Sequence, residues 1–202
     1  MQTVAIEGTK RQDVGTKYAK AVRREGNVPC VVYGGENVLH FHAHKNAFKT
    51  LIYTPDFKLA EISLGGSTIK SIIKDIQFHP VTDEIMHIDF VELVPNKKVK
   101  VVVPVRITGS APGVKVGGKL QQIIRSVKIE TTPEQLIDHV TVDVSELGLG
   151  SVVRIRDIQA VDGVEITNPP AIPVASVEVP RALRSEMTEE AKAGGAAAAE
   201  EA

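Results

Sequence analysis

A single cysteine, Cys30, is the only thiol in the chain, which excludes an internal disulfide framework and suits a reducing compartment. Tryptophan is absent and aromatic residues make up only 4%, so a core must be built mainly from aliphatic side chains. No run approaches the roughly 18 apolar residues of a membrane-spanning helix. The opening MQTVAIEGTKRQ also lacks the apolar core of a secretory signal. The expected location is the cytoplasm, with no membrane partner. Signatures of catalysis are missing as well. The glycines of APGVKVGGKLQ do not fit G-x-x-x-x-G-K-[ST], no G-x-G-x-x-G joins a strand to a helix, and no G-x-S-x-G elbow occurs. A turn or an extended β loop accounts for APGVKVGGKLQ, and neither an enzyme activity, a cofactor nor a small-molecule substrate is expected.

What the chain does have is 202 residues, 43% of them hydrophobic and 24% charged, enough for one large or two small domains with a working core. Frequent Val, Ile and Thr tilt the expectation towards strands. Cys30, between Val28-Pro29 and Val31-Val32, reads as a small buried hydrophobe, because a reactive thiol needs an exposed, electropositive setting.

The most informative stretch is DVGTKYAKAVRREGNVPCVVYGG, residues 13–35. Thr16 is the expected N-cap of a short helix and Gly26 the residue just past its end. At 100° per residue, Lys17, Lys20, Arg23 and Arg24 share one arc, and Tyr18, Ala19, Ala21 and Val22 the complementary one. With Lys10 and Arg11 upstream and only Asp13 opposing them, residues 10–24 carry a formal charge of +5 in a chain whose total is −1. A solvated helix face and a nucleic-acid contact both account for such a cluster, and the residues alone leave the two open.

The remainder reads as a mainly β chain with short helices. Strands are expected over residues 4–10, 28–33, 38–43, 59–64, 68–78 and 85–94, with a short helix over 45–53 and Gly65-Gly66 turning a hairpin. Side chains alternate along a strand, so in IMHIDFVELV the residues Met86, Ile88 and Phe90 face one way, and His87 and Asp89 the other. Asp75, Gln77 and His79 have the same spacing in the preceding strand, and the two strands, if paired, present one polar surface. His87 beside Asp89 lacks a nucleophile, and hydrogen bonding to base edges or ribose hydroxyls suits the pair better than acid–base catalysis. His40, His42 and His44 also alternate, but a zinc site needs further converging ligands, so no metal is expected.

Pro95-Asn96-Lys97-Lys98 reads as a junction, giving domains at 1–94 and 95–180 and a flexible Ala/Glu-rich tail at 181–202, either disordered or helical and acidic. In the second domain strands are expected over 99–108, 121–130, 140–144, 151–154, 164–166 and 172–179, with one helical turn near 133–137. No long helix is expected there, hence an all-β domain.

GTKYAKAVRREGNVPCVVYGG followed by KDIQFHPVTDEIMHIDFVEL closely resembles the bacterial large-subunit ribosomal protein family number twenty-five, which binds 5S rRNA. The continuation from VPVRITGSAPGVKVGGKLQQ through GSVVRIRDI resembles its long, two-domain form, the general stress protein Ctc. The resemblance covers about residues 3–180. It implies a β-barrel-like N-terminal domain that recognises the loop E region of 5S rRNA, an all-β C-terminal domain, and other large-subunit ribosomal components as partners. It further implies RNA contacts at Lys10 or Arg11, Lys17, Lys20, Arg23, Arg24, Tyr33, His87 and Asp89, with Gln77 and His79 as secondary candidates. Where relatives carry arginines through the helix, this chain has Ala21, Lys17 and Lys20, which act as point charges rather than bidentate forks. A structural constituent of the ribosome is the expected role; a stress or assembly factor that binds the subunit transiently is the alternative.

Overall fold

The computed structural model describes residues 1–158 and 163–180; the expected tail at 181–202 lies outside them. By contacts they divide into two compact units. The first holds Met1–Pro104 with Lys128–His139 and residues 163–167, and the second holds Val105–Val127 with residues 140–158 and 168–180. Both are mainly β, as the composition leads one to expect.

The first unit is organised on a closed six-stranded barrel. Its elements are β1 (Gln2–Lys10), α1 (Thr16–Arg24), β2 (Asn27–Tyr33), β3 (Leu39–His44), a 3-10 turn (Lys45–Phe48), α2 (Lys49–Ile52), β4 (Lys58–Leu64), β5 (Ser67–Phe78) and β6 (Ile85–Glu92). The strand order is β1-β3-β2-β6-β5-β4, closed by a parallel pairing of β4 with β1 in which Ile62 lies opposite Ile6. Closure removes the exposed edges that an open sheet would present. Gly65 and Gly66, both at positive φ (59° and 103°), join β4 to β5. A two-residue hairpin turn that matches strand twist needs that conformation at both positions, and glycine adopts it without a Cβ clash.

The interior follows from period-2 alternation. Val28, Cys30 and Val32 of β2, Phe41 and Ala43 of β3, Ala60, Ile62 and Leu64 of β4, and Ile88 and Phe90 of β6 all point inward and are buried. Phe48 and Leu51 close over them. Phe90 is fully buried, with ring centroids 5.9 Å from Phe41 and 6.2 Å from Phe48. These three rings form the aromatic centre of a barrel whose other core residues, Cys30 apart, are aliphatic.

One expectation about the helix is corrected. Gly15, at φ 108°, occupies the N-cap in place of Thr16, and no side chain caps the helix; the chain enters α1 through a conformation that favours glycine. The apolar arc is only partly docked: Ala19 and Val22 are half-buried, whereas Tyr18 and Ala21 are exposed. The nine-residue helix leans on β2 along a strip narrower than its apolar arc, and Arg23 forms part of that strip.

Beyond the barrel the elements are β7 (Val99–Thr108), α3 (Pro112–Lys115), β8 (Lys119–Gln122), β9 (Ser126–Thr131), a 3-10 turn (Pro133–Gln135), β10 (Val140–Asp143), β11 (Val152–Arg154), a 3-10 turn (Ile155–Asp157), β12 (Val164–Ile166) and β13 (Pro173–Glu178). In the second unit β10 runs parallel to the end of β7, and β11, β13 and β8 form an antiparallel sheet. In the first, β12 pairs antiparallel with β9. The strand expected over 121–130 is two strands, β8 and β9. Between them the amides of Ile123 and Ile124 both turn to the Val174 carbonyl (2.9 and 3.2 Å), and no Gly or Pro marks the break. APGVKVGG holds the short helix α3, with Pro112 in its first turn. A Cβ on Gly113 would come within 2.7 Å of the Gly148 carbonyl carbon, so this glycine serves a close backbone approach.

The aromatic centre generates one expectation. Phe90→Ala leaves Phe41 and Phe48 without their shared partner and should cost about 3–5 kcal/mol, read as an earlier urea midpoint of the barrel's transition. A shift equivalent to less than about 1 kcal/mol would show that the ring cluster is not the barrel's packing centre.

Candidate nucleic-acid interface

The candidate residues meet on the outer face of the barrel because of two irregularities in the ladder between β5 and β6. Ile73 pairs with Phe90, but the next registered pair is Asp75 with Asp89. Lys74 is therefore an extra residue on β5, a β-bulge. Ile73 and Ile76, three positions apart, both pack against the core, which an uninterrupted strand of period 2 cannot achieve. The bulge keeps both isoleucines inside and leaves Asp75 and Gln77 outside, opposite Asp89 and His87. The expected shared polar surface of the two strands is thus present.

The second irregularity is on β6. Gln77 pairs with His87 and Phe78 with Ile85, so the ladder skips Met86. The Met86 carbonyl accepts a hydrogen bond from Arg23 Nε at 3.0 Å. One residue before His87, the sheet therefore holds the last turn of α1. Arg23 differs in this from Lys17, Lys20 and Arg24, which are exposed. Its side chain positions the helix, whereas theirs present charge to solvent.

Within the outer face, His87 Nδ1 lies 2.7 Å from Asp89 Oδ1, and both side chains are about a quarter exposed (27% and 29%). An ionised carboxylate only accepts, so Nδ1 carries the proton and donates, and in the neutral form of the ring Nε2 is left as an acceptor. The register continues across the barrel. Asp89 lies opposite Val31 on β2, Val31 opposite His40 on β3, and the Arg11 amide donates to the His40 carbonyl at 2.8 Å. Arg11, His40, Val31, Asp89 and Asp75 thus form one row, with adjacent strands about 4.8 Å apart. Tyr33 lies two residues along β2 from Val31, beside Val91. Burial, then the Asp89 and Asp75 carboxylates, raise its phenol pKa above the ordinary value.

Not every candidate lies on this face. Lys10 is exposed at the end of β1, opposite Phe41. His79 lies beyond β5, and its Nδ1 accepts from the amides of Val81 and Thr82 (3.3 Å each), so it braces the turn into β6. The alternating histidines diverge as well. His40 is exposed, His44 accepts from the Asn46 amide at the 3-10 turn, and His42 has a buried Nδ1 without a hydrogen-bond partner. Among the described residues no group of three or more His, Cys, Asp or Glu is placed to hold a metal. Burial pushes the Cys30 thiol far above its ordinary pKa, which makes it unreactive.

Sequence reasoning overlooked three features. Asp75 was recognised only by its spacing, yet it stands directly opposite Asp89. Tyr18 is 48% exposed on the helix that carries the cations. The Arg23–Met86 bond depends on a skipped residue that no local pattern announces.

Two family models match the chain: the ribosomal L25p family over residues 6–90 and the C-terminal domain of ribosomal protein TL5 over residues 98–181. The large ribosomal subunit protein bL25 of Cytophaga hutchinsonii is 38% identical over 192 residues, covering 95% of this chain and 100% of its own. Those of Parabacteroides distasonis and Porphyromonas gingivalis are each 39% identical, cover 91% of this chain, and are themselves covered over 97% and 96%.

The Tyr33 environment can be checked directly. In a pH titration followed by NMR at its Cζ, Tyr33 should ionise above the ordinary tyrosine value of 10.0. Asp89→Asn or Asp75→Asn should return part of that shift, leaving the larger part due to burial. The linked stability is fully present below the ordinary value and is lost as pH rises through the raised one. An unchanged midpoint in both variants would separate Tyr33 from the carboxylates.

Proposed function

Since the chain belongs to the family of bacterial large ribosomal subunit proteins bL25, with both the L25p and the TL5 C-terminal blocks, we propose that it is a non-catalytic constituent of the large subunit in cytoplasmic ribosomes and that its barrel binds the loop E region of 5S rRNA. The reading of 1–94 and 95–180 as the two domains is supported by family matches that end at 90 and resume at 98.

The observation that carries the RNA-binding reading is the paired outer face of β5 and β6. Gln77 lies opposite His87, and His87 is oriented by Asp89. Double-stranded RNA offers a wide, shallow minor groove with ribose 2′-hydroxyls and base edges. A rigid sheet face of carboxylate oxygens, an amide and an imidazole acceptor matches hydroxyl and amino donors there. Tyr33, kept neutral, adds a planar group and a hydroxyl at the same face. Lys17, Lys20 and Arg24, with Lys10 and Arg11, neutralise backbone phosphates. Lysine and arginine on phosphates supply affinity without sequence information, whereas strand groups on base edges or hydroxyls supply selection.

Two classes of substitution should therefore behave differently in salt-dependent filter binding. Lys20→Ala should weaken binding to 5S rRNA and unrelated RNA alike and reduce the salt slope by about 1. His87→Ala or Asp89→Ala should chiefly erase the preference for 5S rRNA over loop E variants, at about 1–3 kcal/mol, with little change in slope. If loop E variants bind the intact protein as tightly as the native RNA, specific recognition is wrong. If both classes give the same pattern, the division of labour is wrong.

A further inference from the structure

We propose that the cleft between the end of α1, the 3-10 turn with α2, and the turn joining β5 to β6 takes one unstacked nucleotide of the bound RNA, with a preference for guanine; this rests on the RNA-binding reading above. The cleft has a volume of about 430 Å³, within the ~300–1,000 Å³ of small-ligand sites. Lys45, Lys49 and Tyr53 line it from one side at four-residue spacing, which stacks them along one side of the helical segment. Asp83 and Glu84 face it from the other side, and Arg23 lies at its edge.

These groups are available for a ligand. Tyr53 is 64% exposed, and the Lys49 ammonium makes no ion pair or hydrogen bond among the described residues. Lys45 reaches Glu84 only at 3.7 Å, with both side chains more than half exposed (54% and 69%), an interaction that contributes little. The carboxylates stand on a braced turn. The His79 amide donates to the Glu84 carbonyl at 2.8 Å and the Asp83 amide to the His79 carbonyl at 3.0 Å. His79 Nδ1 accepts two further amides. Asp83 itself is held at φ 53°, a conformation that aspartate adopts more readily than most residues.

Cations, an open aromatic face and fixed acceptor-only groups in one cleft match the three parts of a nucleotide. The phosphate meets Lys49 and Lys45, the base stacks on Tyr53, and the base edge meets Asp83 and Glu84. Guanine alone among the four RNA bases presents two adjacent donors, N1–H and the N2 amino group, to a carboxylate; the others set a carbonyl or ring-nitrogen acceptor beside their donor, which a carboxylate repels. A site for phosphate alone has no use for carboxylates in its wall. The cleft also adjoins the recognition face, because Met86, which receives Arg23, immediately precedes His87. An RNA strand on His87 has only one residue of β6 to pass before reaching it.

The test is an amide NMR titration of the full chain with guanosine 5′-monophosphate, against the adenosine, cytidine and uridine monophosphates and inorganic phosphate. Saturable shifts at Lys49, Tyr53, Asp83 and Glu84, about tenfold tighter for the guanine nucleotide than for the others, are expected. Tyr53→Leu should abolish them and Tyr53→Phe should retain them. No saturable shift in the cleft, equal affinity for all four nucleotides, or the same response to inorganic phosphate would overturn the proposal. Parallel 5S rRNA binding separates the two levels. A silent cleft in a protein that still prefers native 5S rRNA removes only the cleft site. Guanine binding in a protein without that preference removes the parent reading and leaves the cleft as a nucleotide site.

Discussion

The arrangement depends on the ladder between β5 and β6 being interrupted twice. An ideal antiparallel pair would send every second residue inward without exception, and Ile73 and Ile76 could not both reach the core. The extra residue at Lys74 resolves that conflict and, as a consequence, fixes which polar groups stand opposite His87 and Asp89. The skipped residue at Met86 then provides a carbonyl for Arg23, so the same pair of strands determines where the basic helix ends. The polar face of β6 and the end of the basic helix, 63 residues apart at the Arg23–Met86 bond, are thereby set by one register.

That register places like charges together, which is informative. Asp75 directly opposite Asp89 is an unfavourable pair in a sheet, by some tenths of a kcal/mol up to about 1. The His87 bond relieves Asp89, and the Tyr33 phenol is raised by burial first and by the two carboxylates second. On the proposed reading, this face rejects phosphates and accepts donors, while the exposed cations of α1 do the reverse. At physiological salt the Debye length is about 8 Å, so each phosphate responds mainly to its nearest protein charges. The net charge of −1 therefore says little beside the local distribution of sign. Affinity drawn from charge alone would be indiscriminate, and in the proposed complex the acidic patch is what makes it directional.

The parts of this arrangement that were legible in sequence are those governed by local rules. Alternation in IMHIDFVELV correctly put Ile88 and Phe90 on the inner side and His87 and Asp89 on the outer; Met86, expected beside Ile88 and Phe90, departs from it, because the ladder skips that residue and Ile85 packs against the core instead. The Gly65-Gly66 turn and the strand through Cys30 were equally plain. What escaped was set by tertiary pairing. A bulge has no composition of its own, so neither Lys74 nor Met86 stood out. Thr16 satisfied the usual preference for a cap, but the chain's entry angle required Gly15. Arg23 looked equivalent to Arg24 on a helical wheel, and only the sheet beneath distinguishes an anchor from a free cation. His79 fitted the alternation of Asp75 and Gln77, yet Phe78 ends the strand and the imidazole turns back to its own loop.

Rigidity is divided between the two halves of the proposed interface in a way that fits the tasks proposed for them. α1 has nine residues, no side-chain cap and no fully buried residue, and a helix of that length is marginal in water by itself. It is held by the strip of Ala19 and Val22 and by the Arg23–Met86 bond. Phosphate attraction tolerates that looseness, since a lysine reaches a phosphate from many geometries and long-range charge does not demand a fixed rotamer. Hydrogen bonds to base edges or hydroxyls do not tolerate it, because their strength falls steeply with misalignment. The groups proposed to need alignment are accordingly on β6, flanking the buried Ile88, with Phe90 buried next to Asp89, and His87 is further locked by Asp89. On the proposed reading, exchanging the two sets would leave the charge count unchanged and abolish selectivity, because imidazole and carboxylate on a loosely held helix would lose ordering entropy with every bond they formed.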